Sequence, residues 1–175
     1  MTEMSIMNKQ NKSKKNIRLL AQGAIIAALY VVLTVIFAPI SFGAVQLRIA
    51  EALTILPLFT PAAIPGLFIG CILANLLGGG VMLDVILGSI ATLIGAVFGY
   101  MLRNNRWLMP VPAVIANALI VPLVLIKGYG VTDMSYPLLV VYIAAGEILG
   151  CYVLGELLAS LLLPRAAGIF NQDEE

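Results

Sequence analysis

The chain contains no histidine and only two cysteines. Without an imidazole there can be no HExxH metal motif, no Ser-His pair and no haem-ligating histidine. Cys71 and Cys151 lie inside apolar runs with no CxxC spacing. They are read as small packing residues, with no metal or disulfide role. A GxxxxGK[ST] phosphate loop is also missing, so the chain cannot draw energy from ATP by itself. No cofactor is expected. Charge is scarce too: 11% of residues are charged, against about 25% in an ordinary soluble domain. With 61% hydrophobic residues and a mean hydropathy of +1.04, a soluble globular protein is excluded.

What the chain has is long apolar runs. A spanning helix needs roughly 20 apolar residues, so 175 residues leave room for one compact bundle and no separate soluble domain. Hydropathy and breaker residues mark segments at 17 to 38, 46 to 60, 62 to 77, 81 to 102, 107 to 126 and 137 to 163. The fold class is therefore an all-α integral membrane protein, a bundle of about six transmembrane helices in the lipid bilayer. Two of these are short or proline-interrupted: Pro57, Pro61 and Pro65 punctuate segments two and three, and Gly78, Gly79 and Gly80 close the third. Such segments form either two short helices or one re-entrant hairpin. The apolar run from Leu19 to Ile40 is too long for a signal peptide and is expected to remain as the first helix. The division is a disordered basic tail over 1–16, a single transmembrane domain over 17–164 and an acidic tail over 165–175.

Lys9, Lys12, Lys14, Lys15, Arg18, Arg103, Arg106 and Arg165 fall on one side of a six-crossing arrangement, leaving Arg48 and Lys127 elsewhere. The positive-inside rule then puts both termini in the cytoplasm. The hairpin alternative keeps every later loop on the same side, so this count does not separate six crossings from four. Neither charged tail suggests nucleic-acid binding; the basic one reads as a solvated arm that helps set topology. Small residues recur four apart at Gly23 and Ala27, Ala24 and Ala28, Gly95 and Gly99, and Gly146 and Gly150. In lipid such faces allow close helix contact, within the bundle or with another membrane subunit.

A charge at the bilayer centre costs about 2.5–3.5 kcal/mol on insertion scales, so Arg48, Glu51, Asp84, Glu147 and Glu156 each need a reason. In the topology above the first four lie in the outer half. Gln46, Asn75, Lys127, Tyr129 and Asp133 follow the same bias, which implies a polar pocket open to the outside. Arg48 and Glu51, three apart on one face, can pair. Asp84 and Glu147 have no local basic partner, so the site is net acidic. Carboxylates only accept hydrogen bonds, so a cationic or N–H-rich ligand suits it and an anion does not. Glu156 lies nine residues beyond Glu147, about 180° around a regular helix and roughly 13 Å deeper. It is expected outside that pocket, against a partner or reaching toward the cytoplasm.

The run Gln46-Leu47-Arg48-Ile49-Ala50-Glu51-Ala52-Leu53 resembles the substrate-binding S components of energy-coupling factor (ECF) transporters, within them the QueT-type queuosine precursor transporters. Residues 70–78 and 84–93 agree with it, and the resemblance covers about Arg18 to Pro164. It implies a non-enzymatic subunit of the plasma membrane that binds a 7-deazaguanine such as preQ1 from outside. Implied partners are a membrane coupling subunit (EcfT) and two ATPase subunits, the coupling subunit meeting the first helix at Ala24 and Ala28. Implied ligand contacts are Gln46, Arg48, Glu51, Asn75, Asp84 and Glu147, with the carboxylates accepting from N–H groups and Arg48 or Asn75 donating to a carbonyl. The alternative is a stand-alone proton- or cation-coupled carrier. Less favoured is an intramembrane enzyme using Asp84 and Glu147, for which no nucleophile or metal shell is present.

Overall fold

The computed structural model describes residues 3–38 and 48–170; Gln46 lies outside the described residues. Among these, all regular structure is helical: α1 (Glu3–Ile36), a 3-10 helix numbered α2 (Ile49–Leu58), α3 (Ala63–Leu77), α4 (Met82–Met101), α5 (Val111–Lys127), α6 (Tyr136–Glu147), a π-helical segment (Ile148–Leu154), α7 (Gly155–Leu162) and α8 (Ala166–Phe170). The chain is the all-α membrane bundle that its composition implies. Three stretches, Met7–Ile36, Met82–Met101 and Tyr136–Arg165, are each long and apolar enough to cross a membrane.

Helix α1 begins at Glu3 rather than at the start of the apolar run. No glycine or proline interrupts the chain before Gly23, so nothing breaks the helix through the basic stretch, whose described side chains are exposed up to Ile17. The apolar part buries Ile26, Ala27, Tyr30 and Thr34, a one-sided stripe at helical spacing.

The two ends of the bundle are marked by contacts between distant residues. At the end nearer the chain termini, Thr60 Oγ1 donates to Gln22 Oε1 at 2.8 Å, Arg18 donates to the Ile169 carbonyl at 3.3 Å, and the Phe59 and Phe170 rings stack with centroids 5.3 Å apart. Ile55, Met109 and Ala159 pack together there. At the far end, Arg48 meets Asp84 and Asp84 meets Tyr129. Helices α1, α2, α3, α4 and α5 and the α6–α7 unit therefore run alternately between these ends, and the α2–α3 hairpin reaches the same level as Gln22. Ten residues suffice for α2 because a 3-10 helix rises about 2.0 Å per residue, giving about 20 Å; the 15 residues of α3 give about 22 Å at α-helical rise.

The hairpin is held against α1 by glycines. A Cβ on Gly66 would stand 2.7 Å from the Gly23 carbonyl oxygen, and one on Gly70 would stand 2.8 Å from Tyr30 Cβ. Any larger residue would push α3 off α1, and in lipid this packing is what holds two apolar helices together. Helix α3 then stops cleanly. Gly79 takes a positive φ of 76°, Gly80 N–H donates to the Asn75 carbonyl at 2.8 Å and Gly79 N–H to that of Leu76 at 3.4 Å, the Schellman arrangement that caps loose carbonyls.

The last long helix changes its winding at the site. Leu139, Ile143, Glu147, Cys151, Gly155 and Ala159, four apart throughout, are all buried. In an unbroken α-helix each four-residue step drifts about 40°, and five steps would turn the later residues to the opposite side. The π segment, with i→i+5 bonding and more residues per turn, absorbs this drift and keeps one face on α2. A Cβ on Gly150 would lie 3.2 Å from the Arg48 carbonyl oxygen and 3.3 Å from Glu51 Cβ.

Candidate functional site

The site is built on α2. With three residues per turn, Arg48, Glu51 and Thr54 stand in one row, facing the bundle interior. Arg48 crosses to α4: its Nη2 lies 3.2 Å from Asp84 Oδ2 and 3.4 Å from Oδ1. The sequence allows Arg48 and Glu51 to pair. The structure shows an ion pair of Arg48 with Asp84, while one oxygen of Glu51 takes the Tyr30 hydroxyl; the 3-10 winding sets Arg48 and Glu51 one turn apart in the same row. Asp84, with 0% of its surface exposed, also accepts from Tyr129 Oη at 3.0 Å, and its backbone carbonyl accepts from Asn75 Nδ2 at 3.2 Å. It lies in the first turn of α4, where the helix dipole adds to the stabilisation of negative charge. Tyr129, in the α5–α6 loop, is pushed up to about 12 by burial and by the negative charge of Asp84. Its hydroxyl thus stays a proton donor.

A second set of polar groups lies one turn further toward the bundle centre. Tyr30 Oη of α1 donates to Glu51 Oε1 at 2.6 Å, while Glu51 Oε2 is buried with no hydrogen-bond partner. Glu147, 4% exposed, comes from the end of α6; the Cys151 thiol donates to its Oε2 at 3.5 Å. Thr54 Oγ1 donates to the Glu51 carbonyl at 2.6 Å and lies 3.4 Å from Cys151 Sγ. Asn117 of α5 lies within interaction range of the Glu147 carboxylate, but neither of its amide atoms is in good hydrogen-bond geometry with a partner. A carboxylate oxygen from each of Glu51 and Glu147 and the Cys151 sulfur lie within 4.8 Å of one another.

Two carboxylates this close in a low-dielectric interior repel unless a proton or a cation stands with them. Arg48 pairs with Asp84, so by formal charge the excess acid is that of Glu51 with Glu147. The arrangement suits a cation, either a metal ion or an organic cation with N–H donors, and is unfavourable for an anion.

Of the residues the sequence predicts for the pocket, Arg48, Glu51, Asn75, Asp84 and Glu147 are all buried in this one region. They divide into a structural group, Arg48–Asp84 with Asn75 and Tyr129, and an open group, Glu51 with Glu147. Glu156 lies elsewhere: it forms an ion pair and hydrogen bond with Arg106 of the α4–α5 loop, and Arg106 also donates to Ser160 Oγ at 3.1 Å. Four residues join the site that the sequence does not single out: Tyr30, Thr54, Asn117 and Cys151. Asn117 carries a signal in hindsight, since it is the lone polar side chain in α5 before Lys127. Tyr30 and Cys151 carry none, because an aromatic or a cysteine in an apolar run is ordinary core.

On α1, Gly23 and Ala27 are spent on α3, whereas Ala24 and Ala28 are exposed. They line an open apolar groove of about 570 Å³ between α1 and α3, together with Leu20, Ile69, Leu73 and Leu77.

Fold and site together define a polytopic helical membrane protein with a buried, net-acidic polar cluster among its helices. Residues 20–164 match the QueT transporter family, and the chain belongs to that family, as the run through Arg48 and Glu51 suggests. A queuosine precursor transporter QueT of Lactococcus lactis subsp. cremoris (strain MG1363) is 38% identical over 84 residues, covering 47% of this chain and 49% of the relative. The match thus spans about half the length of that curated relative. No solved structure matches the chain.

Proposed function

We propose that this chain is the substrate-binding membrane subunit of an uptake transporter for a 7-deazaguanine queuosine precursor, preQ1 or a close analogue. The observation that carries the proposal is the buried, unpartnered Oε2 of Glu51 beside Glu147. A guanine-like ring presents N–H donors along one edge, and the aminomethyl group of preQ1 is a cation. Both are what a pair of buried carboxylates lacks. The relative's name, a queuosine precursor transporter, points to the same chemistry. Glu51 and Glu147 accept from the ligand. Arg48 and Asp84 hold α2 against α4 above it, with Asn75 beside them.

In this reading the protein lies in the plasma membrane with both termini cytoplasmic, so that the far end of the bundle faces outside. With no phosphate loop in the sequence, energy comes from partners: a coupling subunit of the EcfT type and two ATPases, as in ECF transporters. The groove lined by Ala24 and Ala28 suits the coupling subunit because small residues let a partner helix approach closely.

The test is calorimetry on the purified full chain in detergent with preQ1, using riboflavin, thiamine and biotin as controls. Heat is preferable to fluorescence because the single tryptophan, Trp107, lies at the terminal end, where its carbonyl accepts from Tyr152. Selective binding of preQ1 is expected. Binding of the vitamins instead, or of nothing, overturns the substrate. Uptake of preQ1 by liposomes holding this chain alone would overturn the dependence on partners and favour a stand-alone carrier.

A further inference from the structure

Asn117 is 1% exposed, and neither its Nδ2 nor its Oδ1 has a hydrogen-bond partner. Burying an amide with both functions unmet leaves its full desolvation cost uncompensated, and buried side-chain polar atoms are nearly always paired. Ser89 and Thr34 also keep unpartnered hydroxyls, but a hydroxyl on a helix can turn to the carbonyl four residues back. The Asn117 carboxamide makes no such backbone bond. The side chains around it on α5 are apolar, with Ala113, Ala116, Ala118 and Val121 buried, so none of them satisfies it. Its side chain lies within interaction range of Glu147 in the open group, without good hydrogen-bond geometry to it.

The open group calls for one further function. When ionised, Glu51 and Glu147 take hydrogen bonds and cannot give them to a carbonyl. Among the donors nearby, Arg48 Nη2 goes to Asp84 and Asn75 Nδ2 to the Asp84 carbonyl. A guanine-like ring carries, next to its N–H groups, one carbonyl oxygen that must also be satisfied once it leaves water. A carboxamide offers a donor and an acceptor side by side, which is the complement of a ring lactam with its C=O next to N–H. Asparagine and glutamine read base edges elsewhere by the same two-point geometry.

We propose that Asn117 is the residue that recognises the lactam edge of the ligand, Nδ2 donating to the ring carbonyl and Oδ1 accepting from the adjacent ring N–H, while Glu51 and Glu147 take the amino groups. This rests on the deazaguanine reading above and assigns the specificity of that site. It also divides the ligand between two sets of helices, α5 for the lactam and α2 with α6 for the amino groups.

The test is a two-by-two comparison of the full chain and Asn117→Ala, each titrated with preQ1 and with the analogue in which hydrogen replaces the ring carbonyl oxygen. The full chain should prefer preQ1 by about tenfold or more, the usual range for a two-point contact. In Asn117→Ala that preference should fall to about twofold or less, with the analogue bound as tightly as by the unaltered chain within about threefold. Asn117→Leu, which keeps the volume, should behave the same way. An equal loss for both ligands, complete loss included, makes Asn117 a packing residue and overturns the assignment. So does an unaltered chain that binds both ligands equally well, and that result leaves the substrate class standing. An unaltered chain that binds neither removes the substrate class itself and the assignment with it.

Discussion

Tyr30 reaches from α1 to hold one carboxylate oxygen of Glu51 at 2.6 Å, leaving the other oxygen buried and bare. The two residues are far apart in sequence and on different helices, and their bond fixes which way the carboxylate points. A carboxylate aimed by a charged hydrogen bond presents its free oxygen at one place and need not be ordered again when a ligand arrives.

Removing the hydroxyl should therefore cost both fold and function. Tyr30→Phe deletes a hydrogen bond to a carboxylate, worth about 1.5–3 kcal/mol, and lets Glu51 swing. The expected outcome is an affinity for preQ1 about tenfold weaker, with a lower melting temperature in detergent, measured by calorimetry and thermal shift. Unchanged affinity would mean that Glu51 is not a ligand contact.

The Arg48–Asp84 pair carries a different expectation, because both partners are buried, at 3% and 0% exposure. Arg48→Met strands the Asp84 carboxylate, which in comparable buried pairs costs about 3–5 kcal/mol. Asp84→Leu alone should be similarly damaging. The double change Arg48→Met with Asp84→Leu should recover much of the loss, since no uncompensated charge remains. Yield of monodisperse protein and melting temperature across the four proteins give the coupling directly. Strict additivity of the two single losses would refute the pairing.

Glu147 and Glu156 lie on one long helical unit and should respond oppositely. Glu147→Gln removes a charge facing the open group and is expected to weaken preQ1 binding at least tenfold. Glu156→Gln loosens only the contact with Arg106, which is 32% exposed against 14% for Glu156. Its effect on stability should stay near the 0–1 kcal/mol of a surface pair, with binding unchanged. Equal effects of the two substitutions on affinity would dissolve the distinction between them.

The division of the chain was legible because hydropathy and breaker residues are one-dimensional signals. Segments 62 to 77 and 81 to 102 end within a residue of α3 and α4, where prolines and the Gly78-Gly80 run stand. The charges were legible for the same reason: Arg48, Glu51, Asp84 and Glu147 are conspicuous in apolar surroundings, and all four are buried in one region. Winding was not. Nothing in composition distinguishes a 3-10 from an α turn, and the contact of Arg48 with Asp84 on another helix is not a local signal; the π segment that keeps Cys151 and Ala159 facing inward is likewise invisible to hydropathy. Partners across helices, such as Tyr30 for Glu51 or Arg106 for Glu156, depend on which helices touch. Asn117 could have been found by the rule applied to the charges, that a polar side chain inside an apolar helix needs a reason.

The pH dependence of the far end follows from Tyr129. An ordinary tyrosine loses its proton at 10.0, whereas Tyr129 holds its own to about 12, because ionising it would set a phenolate against Asp84 and remove the bond at 3.0 Å. A group whose affinity for its proton is greater in the folded protein stabilises the fold fully below its unfolded value and loses that contribution as pH climbs through the folded one. The difference in melting temperature between the unaltered chain and Tyr129→Phe should be flat from pH 6 to about 9 and should shrink from about pH 10 to 12. Tyr129 is partly exposed, so solvent screening keeps the difference to a few degrees. A difference that vanishes already near pH 8 would mean that the hydroxyl does not face Asp84, and would remove the anchor that ties the α5–α6 loop over the site.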